Sequence, residues 1–235
     1  MKQKIILSVI ISLWFIHPVA GQTISLGVKG GINFSTISGK QSFENMEITC
    51  LQGLNYSIFL EYKLSDNFSL QSGLFYEEKG FKFKSLLFGG GYWGDFRFKY
   101  INIPVLIKLK IGGDIKYYVL AGPSTGYLIN SKNTTTVCST AEPDLLRIKY
   151  SDDVTDDFNK LSLGVMFGGG IQVPLYNNLE MILDARYNMG ISKTAKEMEH
   201  GYNPQYWSKA LQDSRDRTIS LSLGIIYYIN KHNSN

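Results

Sequence analysis

Three kinds of side chain in this sequence could do chemistry. Histidine is the usual general base near neutral pH, and after His17 in the N-terminal run only His200 and His232 are available. His200 with Ser208 could be imagined as a pair at the rim of a small lipid-modifying enzyme. A solvated loop histidine is the simpler reading of His200, and no HExxH, phosphate-binding loop or dinucleotide glycine pattern accompanies it. Cys50 and Cys138 form an even set that could close a disulfide in an exported chain, or stand as two separate loop thiols. Their spacing matches no zinc site, and no cofactor or metal is expected. The third kind is a set of charges, Lys29, Glu61, Lys63, Glu77, Lys108, Asp184 and Arg186, with Glu180 near one end, each standing at the polar position of an alternating apolar pattern. Charges enclosed in a narrow space must pair or hold water. They therefore describe either an ion path or a plug.

What encloses them follows from the rest of the chain. Lys2 and Lys4, the apolar run 5–16 and the small residues Val19, Ala20 and Gly21 have the order of a cleavable secretory signal. The run is shorter than the roughly 20 residues that a spanning helix needs. Residues 1–21 are thus expected to be removed, the mature chain beginning near Gln22 and residues 22–235 forming the folded domain. No cysteine stands at the cleavage point to accept a lipid. Removing Lys2 and Lys4 from 24 basic residues leaves 22 against 20 acidic ones, a balance that calls for no nucleic acid. The 23 glycines, 15 tyrosines and 13 phenylalanines suit strands and tight turns, and only 19% of residues are charged.

Alternation by twos predicts eight strands, near residues 24–35, 54–63, 68–77, 100–110, 114–130, 159–173, 179–189 and 219–227. The first places Ile24, Leu26, Val28, Ile32 and Phe34 opposite Ser25, Lys29, Asn33 and Ser35. Phe59 interrupts the second, and the fifth is the least regular. The connections alternate as well: short turns at 65–67, 112–114 and 174–178, and long segments near 38–50, 84–95, 131–156 and 192–215. Short turns on one side and long loops on the other are the habit of an outer-membrane barrel with both termini inside. A soluble, lipocalin-like barrel would share the alternation but would need a solvated face dense in Lys and Glu. Here the minority face is mostly Gly, Ser and Asn, which fit a narrow filled lumen. Gly168-Gly169-Gly170 within a strand points to close packing or bending of the wall. Trp93 and Trp207, with Tyr92, Tyr202 and Tyr206, fall in the long connections and read as interfacial anchors or contact residues. The fold expected is an all-β, eight-stranded, antiparallel up-and-down transmembrane β-barrel in contact with outer-membrane lipid.

Four segments carry a resemblance: residues 27–35 (GVKGGINFS), 68–76 (FSLQSGLFY), 100–106 (YINIPVL) and 122–126 (GPSTG). Together they resemble the Bacteroidetes outer membrane protein β-barrel group, porin-family or PorT-like, over essentially the whole mature chain. The resemblance implies a bacterial outer-membrane location and a barrel, and it implies no reaction. The expected function is a non-enzymatic integral barrel, structural or interaction-bearing, with its long loops available to a protein partner. The alternatives are a narrow porin or protein-secretion accessory and, third, a rim-located lipid-modifying enzyme.

Overall fold

A computed structural model describes residues 24–38, 46–87, 90–139, 147–196 and 214–229. Its elements are β1 (Ile24–Ser38), β2 (Met46–Lys63), β3 (Phe68–Leu87), β4 (Gly90–Gly112), β5 (Lys116–Ser139), β6 (Arg147–Asp153), a 3-10 turn (Thr155–Asp157), β7 (Leu161–Tyr176), β8 (Leu179–Gly190) and β9 (Arg215–Tyr228). Neighbouring strands are antiparallel in the order β4-β3-β2-β1-β9-β8-β7-β5-β6, and β4 also pairs with β5. That last pairing closes eight strands into a barrel. β6 stands outside the ring, hydrogen-bonded to the far half of β5 from Lys132 to Cys138.

The wall is apolar outside and polar inside. Leu183 is 51% exposed while Lys108 is 1% exposed. Such a distribution makes sense only where lipid replaces water around the wall, because a closed barrel satisfies every backbone group between strands and needs none from solvent. No helix among the described residues is long and apolar enough to cross a membrane. The short turns 64–67, 113–115 and 177–178 lie at one end of the barrel, with both ends of the folded chain: Ile229 N–H donates to the Ile24 carbonyl at 2.9 Å, and Tyr228 N–H to the Asn178 carbonyl at 2.8 Å. Gly112, at φ +127°, starts the second of these turns in a conformation that favours glycine.

The eight expected strands are present, but several run well past their expected ends. Residues 84–95 do not form a long connection: β3 reaches Leu87 and β4 begins at Gly90. Within 131–156, β5 continues to Ser139 and β6 occupies Arg147–Asp153. The physical reason is an inversion of pattern. Up to the row Tyr76, Ile101 and Tyr127 the outward residues are apolar; beyond it they are Glu78, Lys82, Lys84, Asp95, Arg97 and Lys99, while Phe81, Phe83, Phe96 and Phe98 turn inward. An apolar-outward period therefore ends where the strands leave the hydrocarbon, and the backbone does not. Trp93 and Tyr92 accordingly lie on β4, not in a loop, whereas His200, Tyr202, Tyr206, Trp207 and Ser208 lie outside the described residues.

Two apolar clusters fill the interior. One holds Phe59, Phe75, Leu106, Tyr118, Leu120, Met166, Ile182 and Ile226. The other, toward the far end, holds Phe81, Phe83, Phe96, Phe98, Tyr100, Leu128, Phe158 and Ala195, with the Phe98 and Phe158 rings 4.8 Å apart at 72°. Phe59, which breaks the regular pattern of β2, is one of the inward groups; Tyr118 and Leu120 explain the irregular look of β5 in the same way. Cys50 and Cys138 are not bonded to one another. Cys50 is on β2 and Cys138 on β5, three strand steps or about 14 Å apart across the wall. Disulfide geometry requires Cα atoms within about 7 Å, so of the two readings that the sequence leaves open, strand order disfavours the bridge.

Candidate functional site

The charged lumen is the feature of the molecule with the most chemistry. Inward positions on each strand recur every second residue, so Asp184 and Arg186 on β8 share one face, as do Lys108 and Lys110 on β4. Among the described residues, four cations (Lys29, Lys79, Lys108, Arg186) and four carboxylates (Glu61, Glu77, Glu180, Asp184) are buried. Each of these eight has a partner of opposite sign.

At mid-height Asp184 is the hub. Lys29 Nζ donates to Oδ1 at 2.8 Å, Arg186 donates from Nε at 2.7 Å and from Nη2 at 2.9 Å, and the Tyr118 hydroxyl donates to Oδ2 at 2.8 Å. Arg186 Nη2 also reaches Gln71 Oε1 at 2.8 Å, and Lys29 and Arg186 each stand 5.2 Å from the centre of the Phe75 ring. Glu61 forms the second hub, with Lys108 at 2.9 Å, Lys110, and the Ser69 hydroxyl at 3.0 Å. Toward the short turns Glu180 takes Lys116 at 2.7 Å and the Tyr228 hydroxyl at 2.9 Å. Toward the other end Lys79 bridges Glu77 at 3.0 Å and Asp216 at 3.2 Å, and Asn102 donates to Glu77 at 2.7 Å. Charge-assisted bonds of this length between enclosed groups hold the strands to one another across the lumen, beyond the ladder between neighbours.

Glycine makes this crowding possible. Opposite Gly170 stand Asp184 on β8 and Tyr118 on β5, and a Cβ there would lie 2.6 Å from the Tyr118 hydroxyl. At Gly168 it would lie 3.0 Å from Arg186 Cγ. Gly168 and Gly170 of β7 are thus the bed on which the Asp184 hub rests. Gly31 of β1 plays the same part higher up. Its register partners are Asn55 on β2 and Ser222 on β9, and the Ser222 hydroxyl donates to Asn55 Oδ1 at 2.8 Å, passing over the glycine.

Of the charges singled out in the sequence, Lys29, Glu61, Glu77, Lys108, Glu180, Asp184 and Arg186 all line the interior. Their pairing differs from a direct meeting of Lys29 with Glu61: Lys29 goes to Asp184, and Glu61 to the two lysines of β4. Lys63 does not join them, being half-exposed and paired with Asp66 in the first turn at 2.8 Å. The Asp66 carboxyl, outside the barrel wall, is held below its ordinary range by that hydrogen bond. Lys79, Lys110, Lys116 and Asp216 are additional members. Lys79 and Asp216 lie beyond the apolar-outward stretches, so the period that finds the others stops short of them.

A family model for the outer membrane protein beta-barrel domain matches residues 20–196. The chain belongs to that family. As an outer membrane protein beta-barrel it is a protein of the bacterial outer membrane. Among solved structures it is similar to a major outer membrane protein of Thermus thermophilus, at 12% identity and TM-score 0.47, with 89% of this chain and all (100%) of that chain covered. It is also similar to OprG of Pseudomonas aeruginosa, at 13% identity and TM-score 0.45, covering 89% and 97%. Neisserial surface protein A matches at 15% identity and TM-score 0.42, covering 86% and 96%. No curated protein matches the chain.

Proposed function

We propose that this outer membrane protein is a closed, non-enzymatic anchor that displays the extramembrane parts of β3 to β6, and that it is not a pore. One observation supports the reading: paired charges and two apolar clusters project into the lumen along its length, and eight strands leave an interior only wide enough for side chains to fill. In planar bilayers the refolded barrel is expected to give no steady single-channel current. A stable ohmic step would put transport in its place.

The same reading sets the orientation, with the short turns facing the periplasm and β6 facing outward. In a background lacking Cys50 and Cys138, single cysteines at Asp153 and Lys196 are expected to react with an impermeant maleimide on whole cells, and one at Asp66 is not. Labelling at Asp66 alone would reverse the barrel. The mature chain is proposed to start near Gln22, so intact-mass measurement of protein from outer membranes should show the first 21 residues missing; a retained Met1 would overturn it. Within the family, the four segments quoted above support a place in the Bacteroidetes porin-like, PorT-like group, whose test is a gene neighbourhood encoding secretion components.

A further inference from the structure

The extramembrane sheet ends on an open edge. β6 pairs with β5 alone, and among the described residues no strand lies on its other side. Which backbone groups it leaves unused follows from one bond. Val154 N–H donates to the Ser131 carbonyl at 3.0 Å, continuing the β5–β6 register, and bonded pairs in an antiparallel ladder alternate. Asp152, Tyr150 and Ile148 therefore spend their backbone groups on β5, and those of Lys149 and Ser151 turn to the open side.

The side chains around that edge are also uncovered. Ile148 (44% exposed) faces Val137 (43%) across the β5–β6 ladder, and Tyr150 (51%) continues the stripe on the same face. Lys149, Ser151 and Asp153 occupy the opposite face, and Asp152 ends the stripe on the first. Exposed edges invite another strand and are ordinarily blunted, by short length, charged side chains, bulges, prolines or covering segments; β6 is seven residues long and carries Lys149, Asp152 and Asp153, charges that restrict which strand can add. This edge combines unpaired donors with an apolar stripe and a charge gradient.

We infer that β6 is a docking edge for an extended segment of a partner protein, added antiparallel as a further strand. The complementary segment follows position by position. It carries basic residues opposite Asp153 and Asp152, a small polar residue opposite Ser151, an aromatic opposite Tyr150, an acid opposite Lys149 and a β-branched residue opposite Ile148. Lys-Lys-Thr-Tyr-Glu-Val, read from its N-terminus, meets all six requirements. The proposal rests on the anchor reading for the side of the membrane on which the edge is displayed.

The test uses the full mature barrel refolded in detergent micelles and a fluorescein-labelled peptide with that core, followed by anisotropy. Saturable binding is expected, with none for a scrambled peptide of the same composition. Ser151→Pro removes one open-side N–H while keeping the backbone bonds to β5 and every charge, since proline is tolerated where a strand's N–H faces solvent; it also removes the 3.5 Å contact between the Ser151 and Thr134 hydroxyls, which Ser151→Ala removes alone and so controls for. It should weaken binding at least tenfold. Lys149→Glu should weaken it similarly and recover when the peptide's Glu is changed to Lys, which keeps the inference testable if the proline variant does not fold. Equal binding of the scrambled peptide, wild-type affinity in Ser151→Pro, or no binding by the wild type would each overturn it. A conducting barrel that still binds the peptide would defeat the anchor reading alone, and a silent barrel that does not bind would defeat this inference alone.

Discussion

Replacing Asp184 by leucine is expected to weaken the folded barrel by about 3–5 kcal/mol, the range seen when one member of a buried ion pair is removed. The geometry makes Asp184 the member whose loss matters most. Among the described residues it is the one carboxylate in contact with both Lys29 and Arg186, so its removal leaves two enclosed cations facing each other and the Tyr118 hydroxyl without its acceptor. Arg186→Leu should cost less, about 2 kcal/mol, because Asp184 keeps Lys29 and Tyr118 and what is lost is a set of charge-assisted hydrogen bonds. Leu183→Ile, on the lipid face of the same strand, should lie within about 0.5 kcal/mol of wild type. Urea unfolding in lipid, read by the mobility difference between folded and heated forms on a gel, ranks the three. If Arg186→Leu proves worse than Asp184→Leu, the carboxylate is not the hub.

Gly31→Val should impair assembly as well, costing about 3 kcal/mol, the upper end of the usual overpacking range, and leaving little of the fast-migrating folded form. An added Cβ would press on the Leu221 carbonyl oxygen and stand 2.7 Å from Ser222 Cα, both backbone atoms of β9. A flexible side chain could yield, but backbone in a paired strand cannot do so without opening the ladder. The residue would also cut the hydrogen bond from Ser222 to Asn55 that crosses over β1. Gly113→Ala supplies the contrast, because a Cβ at that turn meets nothing within 4 Å. Normal yields of folded Gly31→Val would show that the β1–β9 seam tolerates separation.

Much of this architecture is legible in alternation alone, and what is not has a common cause. A period of two reports which face is apolar, and it locates a strand only while that assignment stays constant. Along β1 it does so to Phe34, and it accordingly places Lys29, Asn33 and Ser35 inside. Along β3 the assignment reverses after Tyr76, so Lys79 and the inward phenylalanines beyond it resemble the start of a loop. Partner choice in the lumen is likewise out of reach of the sequence. Facing direction is set by parity, but whether Lys29 meets Glu61 or Asp184 depends on strand stagger and on which inward positions are glycine. Gly168 and Gly170 are visible as a cluster, and only the register shows that they lie under Arg186 and Tyr118.

The pairing of β1 with β9 also sets a timetable. Ser25 meets Tyr228 and Ser38 meets Arg215, contacts between the two extremities of the folded chain. Every other wall pairing in the ring joins segments much nearer in sequence, so closure carries by far the largest loop entropy of any step. β1 consequently cannot find its second neighbour until the last strand has been delivered across the inner membrane. Until then its edge is as open as that of any aggregation-prone intermediate. A chain shortened by even its final strand would leave two unmatched edges, on β1 and β8, and the cell would meet it as a substrate for periplasmic holding and proteolysis before it met it as a membrane protein.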